Sequence, residues 1–162
     1  VIRVLIGEDQ RMVRGALGTL LGLEPDIEVV SQVGRGDEIV AAAVDSRADV
    51  ALLDIEMPGL DGLSAAEVLH RTMPDCVIII LTTFGRPGYL RRAMEAGASG
   101  FLVKDGPAED LAAACELDYE TLPVGELTAR IGELSEKTFR LPGGSERTFT
   151  SRTLWSRWLR LR

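Results

Sequence analysis

The chain has 162 residues, with 18 Lys plus Arg against 25 Asp plus Glu for a net charge of −7. Its 46% hydrophobic and 27% charged content describes a folded globular protein rather than a disordered one. No signal-peptide pattern opens the sequence, the apolar run Val77 to Leu81 is far too short for a bilayer, and Cys76 and Cys115 lack CxxC spacing. Secreted, membrane and disulfide-scaffold classes are therefore excluded, and a cytoplasmic protein without a membrane partner is expected.

In chain order, Val4-Leu5-Ile6 is the first short apolar run, followed by Val13, Leu17, Leu20 and Leu21 at the spacing of one helical face. Ile27-Glu28-Val29-Val30 is the second run, followed by helically spaced Ile39, Val40 and Ala43. Val50-Ala51-Leu52-Leu53 precedes Leu63, Ala66 and Leu69; Val77-Ile78-Ile79-Ile80-Leu81 precedes Leu90, Ala93 and Met94. Phe101-Leu102-Val103 precedes Leu111 and Ala114, with Pro107 suited to the first turn of a fifth helix. Runs without alternation predict strands buried on both faces, and five strand–helix units in tandem predict a parallel sheet. The fold class is α/β, a doubly wound five-stranded parallel sheet.

Polar residues gather where these strands end: Glu8-Asp9, Asp54, Thr82-Thr83 and Lys104-Asp105. Ligands of open α/β sheets sit beyond the carboxyl ends of strands, so the candidate chemistry falls on one edge. Glu8, Asp9 and Asp54 there would repel by roughly a few kcal/mol per pair. A divalent cation resolves that conflict, and an all-oxygen donor set suits Mg²⁺. Lys104 supplies a compact positive charge and Thr82 a hydroxyl donor to a phosphoryl group, while Asp54 can act as the carboxylate nucleophile.

The segment Val4–Ala114 resembles the receiver domain of bacterial two-component response regulators. The resemblance rests on Glu8-Asp9, Leu53-Asp54-Ile55-Glu56-Met57-Pro58-Gly59-Leu60-Asp61-Gly62, Leu81-Thr82-Thr83 and Gly97-Ala98-Ser99-Gly100-Phe101-Leu102-Val103-Lys104-Asp105, in that order. It implies a flavodoxin-like receiver over residues 1–118, in which Asp54 accepts a phosphoryl group from a sensor histidine kinase. It further implies Mg²⁺ held by Glu8, Asp9, Asp54 and the backbone carbonyl of Glu56, and phosphoryl oxygens bound by Thr82 and Lys104. Thr82 and Phe101 take the places of the switch pair: Thr82 moves toward the phosphorylated Asp54 and Phe101 turns into the vacated space. On this reading the chain is a phosphoacceptor signalling protein rather than an enzyme.

Lys104-Asp105, the Gly-Ala-Ser-Gly-Phe-Leu segment and Leu20-Leu21-Gly22-Leu23-Glu24-Pro25-Asp26-Ile27 are most similar to the NarL/FixJ subfamily. That subfamily pairs its receiver with a LuxR-type helix-turn-helix reader, which implies homodimerisation on phosphorylation and control of promoter DNA. His70, the one histidine, lies on the third helix beside Arg71 and reads as a solvated helix position.

Residues 119–162 read as a linker and a truncated or aberrant remnant of such a reader, short and irregular or helical. Leu127-Thr128-Ala129-Arg130 resembles the opening of a LuxR-type reader, and Ser135-Glu136-Lys137-Thr138-Phe139-Arg140 the start of its recognition helix. Only Ile131-Gly132-Glu133-Leu134 separates them, whereas four helices with short loops need roughly 55–65 residues. From Arg140 onward six Arg face one Glu, and Ser135–Phe139 nearly repeats at Ser145–Phe149 across Leu141-Pro142-Gly143-Gly144. No DNA-binding residue is assigned. The alternatives are a stand-alone receiver signalling through protein contacts, and a metal-dependent phosphatase using the aspartyl nucleophile, which would need a general acid beside Asp54.

Overall fold

Five runs of apolar sequence become five parallel strands in the computed structural model: β1 (Ile2–Gly7), β2 (Ile27–Val33), β3 (Val50–Asp54), β4 (Val77–Thr82) and β5 (Gly100–Val103). The described residues are 1–83, 88–104, 111, 114–115 and the backbone of 87, 136–140 and 146–150. Strand order is β2-β1-β3-β4-β5, so the first strand is internal and the chain winds outward from it in both directions. That reversal beside β1 and β3 creates the crevice in which such sheets take ligands.

The helices α1 (Arg11–Leu21), α2 (Ile39–Ser46), α3 (Gly62–Thr72) and α4 (Pro87–Glu95) alternate with the strands as their spacing predicts. The fifth expected helix falls mostly outside the described residues, Pro107 included; Leu111, Ala114 and Cys115 are helical and buried. Successive strand residues point to opposite faces, which divides the core in two. Leu5, Leu53, Ile78 and Ile80 pack with Ile39 and Ala43 of α2, Leu63, Ala66 and Leu69 of α3, and Ala93 of α4. Val4, Ile6, Leu52, Ile79 and Leu81 pack on the other face with Leu21 of α1 and with Leu111 and Ala114. Each such Leu or Ile side chain is worth about 1.5–3 kcal/mol when fully buried, so the continuous apolar runs are what the two-sided sheet requires.

Register aligns the strand ends. Gly7 pairs with Leu53, Asp54 with Leu81, and Thr82 with Val103. One residue beyond the first of these pairs Glu8 lies next to Asp54, and one beyond the last Lys104 donates its amide to the Thr82 carbonyl.

The chain divides into two units, Val1–Glu116 and Leu117–Arg162. In the second, β6 (Glu136–Arg140) pairs antiparallel with β7 (Glu146–Thr150), Thr138 opposite Thr148. The expectation of an irregular or helical extension is corrected here: the Glu136–Arg140 segment likened to a recognition helix is a strand. Thr and Phe in both copies favour extended backbone, and Pro142-Gly143-Gly144 between them is turn-forming sequence, so the ten-residue repeat is a hairpin signal. Leu127–Arg130 lies outside the described residues. Among the described residues, no helix is long and apolar enough to cross a membrane.

Candidate functional site

The carboxyl edge of β1, β3, β4 and β5 gathers most of the residues singled out by sequence. Ligand oxygens of Glu8, Asp9 and Asp54 all lie within 4.8 Å of one another. They differ in exposure: Glu8 is fully buried, Asp54 is 5% exposed, and Asp9 faces solvent. Lys104 reaches in from the end of β5 and bridges the two buried acids, its Nζ 2.6 Å from Glu8 Oε2 and 2.9 Å from Asp54 Oδ2. The remaining carboxylate oxygens of those two acids find backbone donors. Ile55 N donates to Asp54 Oδ1 over 2.8 Å, and Gln10 N donates to Glu8 Oε1 over 3.1 Å.

Electrostatics follow from this packing. Burial pushes the Glu8 carboxyl up from the ordinary carboxylate range, against the lowering pull of Lys104 and the Gln10 amide; the neighbouring Asp54 charge adds to the rise. Burial acts to lower Lys104, but hydrogen bonds and charge attraction from Glu8 and Asp54 outweigh it, and its ammonium is held above the usual lysine range. Three carboxylates meet a single ammonium in this cluster, so acidic groups are in excess there. The oxygen-only donor set, with Asp9 on the open side, fits a hard divalent cation.

Thr82 is buried at the end of β4, and its carbonyl accepts from the Lys104 amide over 2.8 Å. Phe101 is half-buried in β5 opposite Ile80, on the sheet face packed by α2, α3 and α4. Glu56 sits two residues past Asp54 with its side chain exposed, in a turn closed by Gly62 N donating to Ile55 O over 2.9 Å. The turn is tight because residue 62 has no side chain: a Cβ there would lie 1.7 Å from the Asp54 carbonyl oxygen. His70 is exposed on α3, as expected of a solvated position. Asp105, at the same edge in the sequence, lies outside the described residues.

Two supporting residues are given no role by the sequence patterns. Asp61 caps α3, its Oδ1 accepting from Leu63 N at 3.1 Å and Ser64 N at 3.0 Å, and its Oδ2 from the Ser64 hydroxyl at 2.8 Å. An Asp just before the first helical turn is a readable cap signal. Arg14, on the first turn of α1, donates back to the carbonyls of Glu8 and Asp9. Only its spacing from the acidic pair could have pointed to it.

Comparison with known proteins matches residues 4–116 to the response regulator receiver domain model. The transcriptional regulatory protein DesR of Bacillus subtilis is 53% identical over 114 residues, spanning 70% of this chain and 56% of that protein. LiaR of the same organism is 40% identical over 142 residues, spanning 84% of this chain and 67% of LiaR. The chain thus spans little more than half the length of DesR. Among solved structures, a LuxR-family DNA-binding response regulator from Staphylococcus aureus is 31% identical with a TM-score of 0.66, covering 70% of this chain and 94% of that one. The signal receiver domain of the response regulator NarL from Mycobacterium tuberculosis is 28% identical with a TM-score of 0.67, covering 70% of this chain and 91% of that domain. By sequence match, strand order and the acidic edge together, the chain belongs to the response regulator receiver domain family, among regulators of the NarL/LuxR type.

Proposed function

We propose that this receiver is a phosphorylation switch in which Asp54 is the phosphoacceptor, charged by a sensor histidine kinase. The observation that carries the reading is the bridge from Lys104 to Asp54 Oδ2 beside the Glu8–Asp9 pair. A carboxylate oxygen of Asp54 attacks phosphorus and forms the acyl phosphate as the bond from phosphorus to the donor breaks; with a phosphohistidine donor the leaving imidazole nitrogen takes a proton. Lys104 offers its ammonium to the incoming phosphoryl oxygens, and the Thr82 hydroxyl donates from the adjoining strand end. Ile55 N holds the other Asp54 oxygen, which fixes the plane of the nucleophile. Glu8, Asp9, Asp54 and the Glu56 carbonyl are the residues that would hold Mg²⁺. Bound there, Mg²⁺ neutralises charge gathered on the phosphoryl oxygens.

Phosphorylation at Asp54 then draws Thr82 toward the new oxygens and lets Phe101 turn inward. The face formed by α4, β5 and the helix after it repacks, a change that needs only a few kcal/mol between two packings. We take the output to be homodimerisation and, in the whole protein, control of transcription at promoter DNA, as the regulators it resembles are named for. Incubation with acetyl phosphate and Mg²⁺ tests the site: the chain should be labelled, Asp54→Asn should abolish labelling, and labelling that survives the substitution overturns the assignment.

A further inference from the structure

The turn between β1 and α1, which carries Glu8 and Asp9, is fastened by a side chain from the helix that follows it. Arg14 Nη1 donates to the Glu8 carbonyl and, over 3.3 Å, to the Asp9 carbonyl. On its other side the guanidinium lies against Gly34, where a Cβ would stand 3.0 Å from Arg14 Nη1. Gly34 directly follows β2, whose last residue, Val33, accepts from the Glu8 amide over 3.1 Å. The acidic turn is thus pinned to the end of β2 by its own backbone and gripped by Arg14, in a space that a side chain at residue 34 would crowd.

The two acids depend on that grip unequally. Glu8 has further anchors, because its carboxylate also meets Lys104 and the Gln10 amide. Asp9 is exposed, and among the described residues no hydrogen bond or ion pair holds its carboxylate. Where that carboxylate stands is set by the backbone beneath it, and Arg14 holds the carbonyls of that backbone.

We infer that Arg14 is a positioning residue for the acidic cluster, gripping the Glu8 and Asp9 carbonyls so that the Asp9 carboxylate stays within reach of a cation shared with Glu8 and Asp54. This rests on the Mg²⁺ reading given above. Charge alone would act in the opposite sense: a guanidinium near three carboxylates repels a cation, so its removal would tighten Mg²⁺ binding. A backbone grip predicts weakening, since outer partners that orient metal ligands commonly matter by about 10–100-fold in affinity. The sign of the effect separates the two.

The test is calorimetric titration of Mg²⁺ into the full chain as wild type, Arg14→Ala, Arg14→Lys and Arg11→Ala, with thermal melts of each in chelator. Arg14→Ala should weaken Mg²⁺ about tenfold, and Arg14→Lys should recover part of the loss because an ammonium can still donate to one carbonyl. Arg11→Ala, which removes the same charge from an exposed position on the same turn, should leave binding unchanged or slightly tighter. Unchanged or tighter binding in Arg14→Ala overturns the inference, as does an equal loss in Arg11→Ala. A lowered melting temperature with unchanged Mg²⁺ affinity overturns it too, leaving Arg14 a purely structural residue. A wild-type chain that binds no Mg²⁺ overturns the cation reading itself.

Discussion

The amide of Lys104 donates to the carbonyl of Thr82 over 2.8 Å, so the two residues proposed to bind phosphoryl oxygens share one backbone link. That link sets the height at which the Lys104 ammonium enters the pocket, and the ammonium in turn bridges Glu8 and Asp54. Lys104→Met leaves two carboxylates against each other with no cation between them. Breaking a buried pair in this way costs about 3 kcal/mol, readable as a lower urea midpoint in chelator. Added Mg²⁺ should restore part of that loss and should bind the variant more tightly than wild type.

Asp61 offers a prediction with a defined pH window. Burial would raise its carboxyl, but hydrogen bonds from the Ser64 amide and hydroxyl and the Leu63 amide outweigh that, with help from Arg92, and hold it below the ordinary range. A depressed folded-state pKa means its stabilising contribution is complete above the unfolded value of about 3.9 and is lost as pH falls through the folded one. Asp61→Ala should cost about 1 kcal/mol at neutral pH through loss of the cap. Urea unfolding at pH 7 and near pH 3 should show that difference shrinking at the acid end.

Cys76 is buried, and its thiol is pushed up to about 12, first by burial and then by the nearby Asp49 charge. At neutral pH almost none of it is thiolate, the reactive form. Together with Cys115, also buried and in no disulfide, it should react with a thiol reagent only after unfolding. Native protein that reacts as fast as denatured protein would contradict this burial.

The proposed switch couples Thr82 to Phe101 across the β4–β5 pairing. Thr82→Ala should still accept a phosphoryl group at Asp54, at a reduced rate, but should lose the phosphorylation-dependent change at Phe101. Fluorophenylalanine spectra of wild type and variant, before and after treatment with acetyl phosphate, read that coupling directly. An identical spectral change in both would sever Thr82 from the switch.

Much of this was written in the sequence because burial on both faces leaves a strong mark. A strand such as Val77–Thr82 is covered on both faces and so shows no alternation, while its polar end residue, Thr82, falls at the carboxyl edge of the sheet. The same logic exposed Glu8, Asp9, Asp54, Thr82 and Lys104, all at strand ends. Arg14 was harder to see, since helical spacing says which turn a residue occupies and not that its side chain doubles back to a carbonyl. The Glu136–Arg140 segment departs from its resemblance for a different reason. Its likeness to the start of a recognition helix lies in residue order alone, whereas Thr138-Phe139 and Thr148-Phe149 flanking Pro142-Gly143-Gly144 favour paired strands.

The most direct measurement is mass spectrometry of the wild-type chain after incubation with acetyl phosphate, with and without Mg²⁺, followed by peptide mapping. The prediction is one phosphoryl group per chain, formed only with Mg²⁺, sensitive to hydroxylamine as an acyl phosphate is, and located on Asp54. A phosphoryl group on any other residue, or one gained equally well in chelator, would contradict it.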